Sequence, residues 1–174
     1  MKPHSQRLNH TWGLTLPNDR DARYTTAGQA LGQARFRNRP PSSGGCGCPI
    51  LVEGKKDVFA LKTMGFTGPI EQVNRGWDQS RLVTYIFETY GILNKVDQGP
   101  SVILLMDWDR TGGRLQRKIG ERLQAFGMRI DNETRMELVR AMKPEGRTVE
   151  GLKAHAEKLR PYINQIDPEG TEEE

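Results

Sequence analysis

Ser101 to Gly113 reads S-V-I-L-L-M-D-W-D-R-T-G-G, and the reading of this stretch decides the fold. Val102 to Met106 form a short unbroken apolar run between polar ends. A run of that length fits a strand buried on both faces, as in a parallel sheet. It stops at Asp107-Trp108-Asp109. Residues two apart on a strand point the same way, so both carboxylates are expected to face one point at the strand's C-terminal end, where open α/β sheets place their ligands. Gly112 and Gly113 then allow a sharp turn into a helix. Two acids held close repel each other and call for a proton or a cation between them; oxygen ligands of this kind suit magnesium.

Upstream, Pro49-Ile50-Leu51-Val52-Glu53-Gly54 is a second apolar run that ends in an acid and a glycine. It reads as the first buried strand. Lys55 to Gly65 follows as a helix with Val58, Leu61 and Met64 toward the sheet. Pro69 to Val73 is a less apolar strand nearer an edge. Asn74-Arg75-Gly76-Trp77 is a loop, and Asp78 caps a helix running to about Tyr90, with Leu82, Val83, Ile86 and Tyr90 inward. Downstream, Gly113 to Phe126 is a helix whose apolar face holds Leu115, Ile119, Leu123 and Phe126. Its opposite face holds Arg110, Arg114, Arg117 and Lys118. Met128 to Ile130 is a short fourth strand, Asn132 to Met142 a helix, and Thr148 caps a last helix with Val149, Leu152, Ala156, Leu159 and Ile163 inward. His155 falls off that stripe and reads as a surface residue. Strands and helices thus alternate, which argues for an α/β sandwich around a mainly parallel four-stranded sheet. Right-handed crossovers bring the ends carrying Glu53 and Asp107 to one edge.

The ends of the chain read differently. Residues 1–48 look like a basic, flexible extension and linker, with a short helix near Thr25 to Arg37 as the lesser alternative, residues 49–165 like the folded domain, and residues 166–174 like an acidic frayed tail. The formal net charge of +4 is uneven: residues 1–49 hold seven Lys/Arg against two Asp, whereas residues 50–174 hold nineteen basic and twenty acidic residues. Removing residues 1–46 is therefore expected to leave thermal unfolding almost unchanged. Cys46 and Cys48 are too few for a disulfide framework and read as inert linker thiols, since a zinc site borrowing His4 and His10 would have unusual spacing. No apolar stretch approaches the ~20 residues of a membrane helix, and the first residues lack a signal-peptide core. The expectation is a cytoplasmic protein with no membrane partner.

The chemistry sits in two motifs on two strand ends, V-E-G-K-K-D (residues 52–57) and D-W-D-R-T-G (residues 107–112). Glu53, Asp107 and Asp109 are expected to converge. Phosphoryl transfer uses such an arrangement, with a divalent ion spreading negative charge and an acid or base handling the proton. Lys55 is placed to bind a phosphate oxygen as a point charge, and Lys56 and Asp57 read as exposed helix residues. The pair of motifs resembles the Toprim domain, shared by topoisomerases, bacterial-type primases, small nucleases and a recombination protein. Its signature is a Glu-Gly after the first strand and an Asp-x-Asp after the third. The resemblance covers roughly residues 49–160. The strings P-I-L-V-E-G-K-K-D-V, N-R-G-W and D-W-D-R-T-G-G look like the small stand-alone archaeal Toprim proteins described as similar to the 5S ribosomal RNA maturation nuclease.

The resemblance implies a three-layer Toprim-like sandwich, Glu53 as acid/base and metal-facing carboxylate, and Asp107 and Asp109 as ligands of magnesium, with manganese an acceptable substitute. Arg75, Arg110, Arg114 and Lys118 join Lys55 as candidate phosphate contacts on the residues' own position. The implied activity is phosphodiester cleavage of RNA or DNA. The alternative is a non-hydrolytic nucleic-acid-binding or accessory subunit working with a protein partner in a processing complex. D-W-D-R-T also fits the Asp-x-Asp-x-Thr of haloacid-dehalogenase-like phosphatases, but that family places the motif near the start of its fold and needs a later Lys and a further acidic pair.

Overall fold

A computed structural model of the chain describes residues 19–168. Expectations for residues 1–18 and 169–174, His4 and His10 included, lie outside that range. In chain order the elements are α1 (Arg20–Asn38), a 3-10 turn (Pro41–Ser43), β1 (Ile50–Val52), α2 (Lys55–Thr63), β2 (Ile70–Gln72), α3 (Gln79–Tyr90), β3 (Val102–Leu104), α4 (Arg110–Ala125), β4 (Ile130–Asp131), α5 (Glu133–Met142), a 3-10 segment (Glu150–His155) and α6 (Ala156–Ile166).

The apolar runs become the two central strands. The sheet order is β2-β1-β3-β4, and every pairing is parallel. Ile50 faces Ile70 on one side and Ile103 on the other. Period-2 alternation divides the core between the sheet's two faces. Ile50, Val52, Ile103 and Leu105 join α1, α2, α5 and α6 on one face. Leu51, Val102, Leu104 and Met106 join Leu82, Val83 and Ile86 of α3 and Ile119 and Leu123 of α4 on the other. The molecule is an α/β three-layer sandwich with a wholly parallel four-stranded sheet. No helix among the described residues is long and apolar enough to cross a membrane.

The expected flexible extension is corrected for residues 19–48. Asp19 caps α1 by accepting from the Ala22 N–H, and the helix packs along α6 and α5. Tyr24, Ala27, Leu31 and Ala34 belong to the core. Small residues make this packing close: a Cβ on Gly28 would sit 2.3 Å from Tyr162 Cβ, and one on Gly32 2.7 Å from Ile166 Cβ. The tail boundary is corrected as well. Asp167 is buried, with Arg35 Nε at 2.6 Å and Arg39 Nε at 2.8 Å. Cys46 and Cys48 are core residues rather than linker residues. Their backbone N–H groups both donate to Arg37 O. Burial pushes the Cys48 thiol up to about 12, which keeps it inert.

Smaller differences have local causes. The fourth strand starts two residues late, because Met128 turns into the core while only Ile130 and Asp131 reach β3. Phe126 faces outward, 43% exposed, and stacks on Phe87 at 4.7 Å between ring centroids. His155 is half-buried and shares a 3.0 Å hydrogen bond between Nδ1 and the Tyr24 hydroxyl.

Candidate functional site

Parallel strands β1 and β3 end side by side, and their C-terminal continuations carry Glu53 and Asp107. β3 runs out of strand partners at this point, because β4 is only two residues long. Side chains take over its backbone groups. Gln116 accepts from Met106 N–H at 3.2 Å and donates to Leu104 O at 3.0 Å. Arg135 donates through Nε to Met106 O (3.0 Å) and through Nη2 to Asp107 O (2.9 Å). Glu53 Oε2 accepts from the Asp107 N–H at 2.7 Å. The strand end is thereby fixed from three directions, and a half-buried acid is held in one orientation.

Glu53 and Asp107 meet as expected. Asp107 Oδ1 accepts from the Val149 N–H at 2.8 Å. Burial, with the Glu53 and Asp109 carboxylates beside it, outweighs that hydrogen bond and raises the Asp107 carboxyl to about 6. Arg135 lies within electrostatic reach of all three acids, and although burial lowers its guanidinium pKa from the ordinary value it stays charged. The expected three-way convergence is narrower than the motif suggests. Asp109 is the N-cap of α4, and its Oδ1 accepts from the Gly112 N–H at 2.7 Å. A helix N-terminus has free N–H groups and a positive dipole end, which draw this carboxylate to them. Gly112 is required in that turn, since a Cβ there would lie 2.0 Å from Asp107 O. Among the described residues, no three His, Cys, Asp or Glu side chains gather closely enough to cage an ion.

Asp57 is not the exposed helix residue expected. It is 7% exposed. Its Oδ2 accepts from Gly54 N–H (3.0 Å) and its Oδ1 from Glu150 N–H (3.1 Å), and burial with Asp107 nearby raises its carboxyl. The Val149-Glu150 amides thus bridge both motifs. The side chain between the two aspartates turns the other way: Trp108 is buried, its Nε1 donates to Gly146 O at 2.7 Å, and its N–H donates to Arg147 O at 2.8 Å.

The basic candidates divide into two groups. Lys55 opens α2 at the edge of the acid site, and Arg110, Arg114 and Lys118 lie along α4; all four are exposed. Arg75 is engaged elsewhere, with Nη2 2.7 Å from Glu71 Oε1 and Nε donating to Gln72 O. Sequence reasoning missed Gln116 and Arg135, whose roles depend on a strand end far away in the chain. Asp57 had a local signal, because an acid three residues after a helix-capping position reaches back to the cap's N–H.

Glu53 and Asp107 are oxygen donors of the kind that magnesium takes. Magnesium keeps several waters and is held by one or two carboxylates with substrate phosphates, rather than by a protein cage. Burial first, and then the Glu53 and Asp109 charges, disfavour the Asp107 carboxylate, and a cation at this pair would offset both.

No family model matches the chain. It is 34% identical over 117 residues to a UPF0292 protein of Methanosarcina barkeri, covering 67% of this chain and 74% of that one. It is 32% identical over 114 residues to a UPF0292 protein of Methanosarcina acetivorans, covering 66% and 72%. A solved structure of a protein from Aquifex aeolicus overlaps 68% of this chain and 94% of its own, with a TM-score of 0.47 and 24% identity.

Proposed function

The chain belongs to the UPF0292 family, and we propose that it is a magnesium-dependent nuclease that cleaves phosphodiester bonds in RNA or DNA. The observation that carries this reading is the contact between two motif acids from separate strands, Glu53 Oε2 on the Asp107 N–H. The Toprim resemblance of the same two motifs supports it. Glu53 and Asp107 hold the ion, with Asp109 adding charge from the α4 cap. When bound, magnesium supplies charge stabilisation at the phosphoryl oxygens. Glu53 moves the proton at the attacking or leaving oxygen. Arg135 keeps Asp107 in place through its carbonyl, and Lys55, Arg110, Arg114 and Lys118 draw the phosphate backbone to the rim. Action on cellular nucleic acid implies a cytoplasmic location.

The test is a cleavage screen of purified protein with magnesium against 5S precursor RNA, single-stranded DNA and duplex DNA. Wild-type protein cuts at least one substrate, and Glu53→Gln lowers the rate by about 10²-fold or more while its metal-free binding of nucleic acid is unchanged. No cleavage of any of them, or equal cleavage by the variant, overturns the reading. A second reading is a nucleic-acid-binding subunit whose cutting needs a partner chain. It is favoured by Asp109, whose carboxylate is already engaged by α4. Under that reading, magnesium and nucleic acid bind but no strand is cut until the partner is added.

A further inference from the structure

Beside the acid rim lies a second cluster that the cleavage chemistry does not use. Asn74 donates its N–H to Glu53 O at 2.9 Å, so the loop after β2 leaves directly from the acid site. Trp77 follows three residues later, within about 11 Å of chain. Arg81 lies over its ring at 4.2 Å and Arg75 at 4.8 Å from the centroid. Tyr85 stands edge-on to it, with centroids 5.3 Å apart and planes at 75°.

This cluster is preorganised from beneath. Glu71 is buried and binds Arg75 through Oε1 at 2.7 Å. The Tyr85 hydroxyl donates to Oε2 at 2.8 Å, and the Tyr90 hydroxyl donates to the same oxygen. Burial alone would raise the Glu71 carboxyl, but the three donors hold it below its ordinary range, as an anion that keeps the arginine and tyrosine in place. Trp77, Asp78, Ser80, Arg81, Thr84, Tyr85 and Glu88 line a shallow, open surface cleft of about 620 Å³.

We infer that Trp77 is the stacking platform for an unpaired base, so that the substrate of the neighbouring acid site is a strand with single-stranded nucleotides at or next to the cut. This deepens the nucleic-acid reading above and rests on it. An indole flanked by guanidinium groups offers a π-face and nearby positive charge, the pairing that single-strand binders use. Glu88 on the wall disfavours a phosphate inside the pocket, which leaves the neutral base as the group that enters. Arg81 is exposed and forms no ion pair among the described residues. It is free to leave the ring for a phosphate when a base takes its place. A duplex presents no free base face and gains nothing from this platform.

The test is binding without cleavage. Fluorescence anisotropy is measured in EDTA with labelled oligo-uridine and oligo-thymidine of about twelve nucleotides and with a blunt duplex. Trp77→Ala weakens binding of the single strands roughly tenfold and leaves the duplex unchanged, and Trp77→Phe recovers most of the loss. Thermal unfolding confirms that both variants fold. Whether uridine or thymidine binds better assigns the strand to RNA or DNA. Equal single-strand binding by Trp77→Ala, or an equal loss on the duplex, overturns the inference. Because the assay contains no free metal, a protein that binds through Trp77 yet never cuts refutes only the nuclease. One that cuts with no dependence on Trp77 refutes only this platform.

Discussion

Two groups of charged side chains make a contrast, a buried one where α1 meets the end of α6 and a half-buried one at the rim of the sheet. At the first, Asp167 lies between Arg35 and Arg39, and Arg35 Nη2 also reaches the Asp167 carbonyl and Asn164 Oδ1. Opposite charges meet there and their donors are satisfied. At the second, Glu53 meets Asp107 with the Asp109 charge nearby, and Arg135 stands within electrostatic reach of all three. A cluster matched in charge fastens two elements together. A cluster of like charge costs stability, and sites that bind or catalyse are where such costs persist.

The largest effect that can break this contrast comes from removing the fastened element. Deleting residues 1–46 takes away α1 with Tyr24, Ala27, Leu31 and Ala34 of the core and strands Asp167. The loss is on the order of the whole 5–15 kcal/mol that holds a domain. Circular dichroism is expected to show a protein that no longer melts cooperatively. A truncated chain melting like the full one would show α1 to be dispensable.

Next comes Asp167→Ala, which leaves two buried guanidinium groups without their carboxylate. The expected cost is about 3–5 kcal/mol, or roughly 8–15 °C in Tm. The pH dependence has a fixed sign. Burial alone would raise the Asp167 carboxyl, but hydrogen bonds from Arg39 and Arg35 hold it below its ordinary value. Its contribution is present above the unfolded value near 4 and is lost as pH falls through the lower folded value, so acid melting separates wild type from variant only above that point.

At the rim the sign reverses. Asp107→Asn removes a charge that burial and Glu53 make unfavourable, and the amide still accepts from Val149. With Asp107 half exposed to solvent screening, the gain at pH 7 is about 1–2 kcal/mol, a rise of a few degrees in Tm. A carboxyl raised to about 6 loses stability for the fold as pH climbs from about 4 to 6. The variant's advantage is therefore full above pH 6 and gone below about 4. Calorimetry with magnesium should show the same variant losing metal affinity. A Tm below wild type at pH 7 would mean the rim is structural.

The smallest effect is expected on the exposed face of α4. Arg114→Ala with Lys118→Ala should change stability by less than about 0.5 kcal/mol while lowering the slope of nucleic-acid affinity against salt by about two. An unchanged slope would remove these residues from the strand's path.

The rim was legible in the sequence because its signals are local. Apolar runs ending in Glu53-Gly54 and Asp107-Trp108-Asp109 announce buried strands with acids at their ends. Asp78 was legible as a cap for the same reason and accepts from the Arg81 N–H; Thr148 accepts from the Gly151 N–H but opens a 3-10 segment, and the last α-helix starts only at Ala156. What stayed hidden is what depends on distant partners. Apart from Tyr24 and Leu31, the inward face of α1 is made largely of small or charged residues, among them Ala27, Gly28, Gly32, Ala34 and Arg35, and so has little hydrophobic contrast. It is a core face only because α6 approaches closely enough to need glycines. Arg135 reads as one more charge on an amphipathic helix until the end of β3 arrives beside it. The Asp-x-Asp spacing suggested two equivalent ligands, but the second acid also begins a helix, and a cap competes for it.

The Arg35–Asp167 pair joins residues 132 positions apart. During synthesis α1 emerges 132 positions ahead of its counterpart. At about 5–20 residues per second, the helix waits roughly 7–26 s on the ribosome with its arginines uncompensated and its small-residue face bare. The nascent chain therefore has a long interval in which α1 is open to chaperones, and the Arg35–Asp167 pair closes only once residue 167 has emerged.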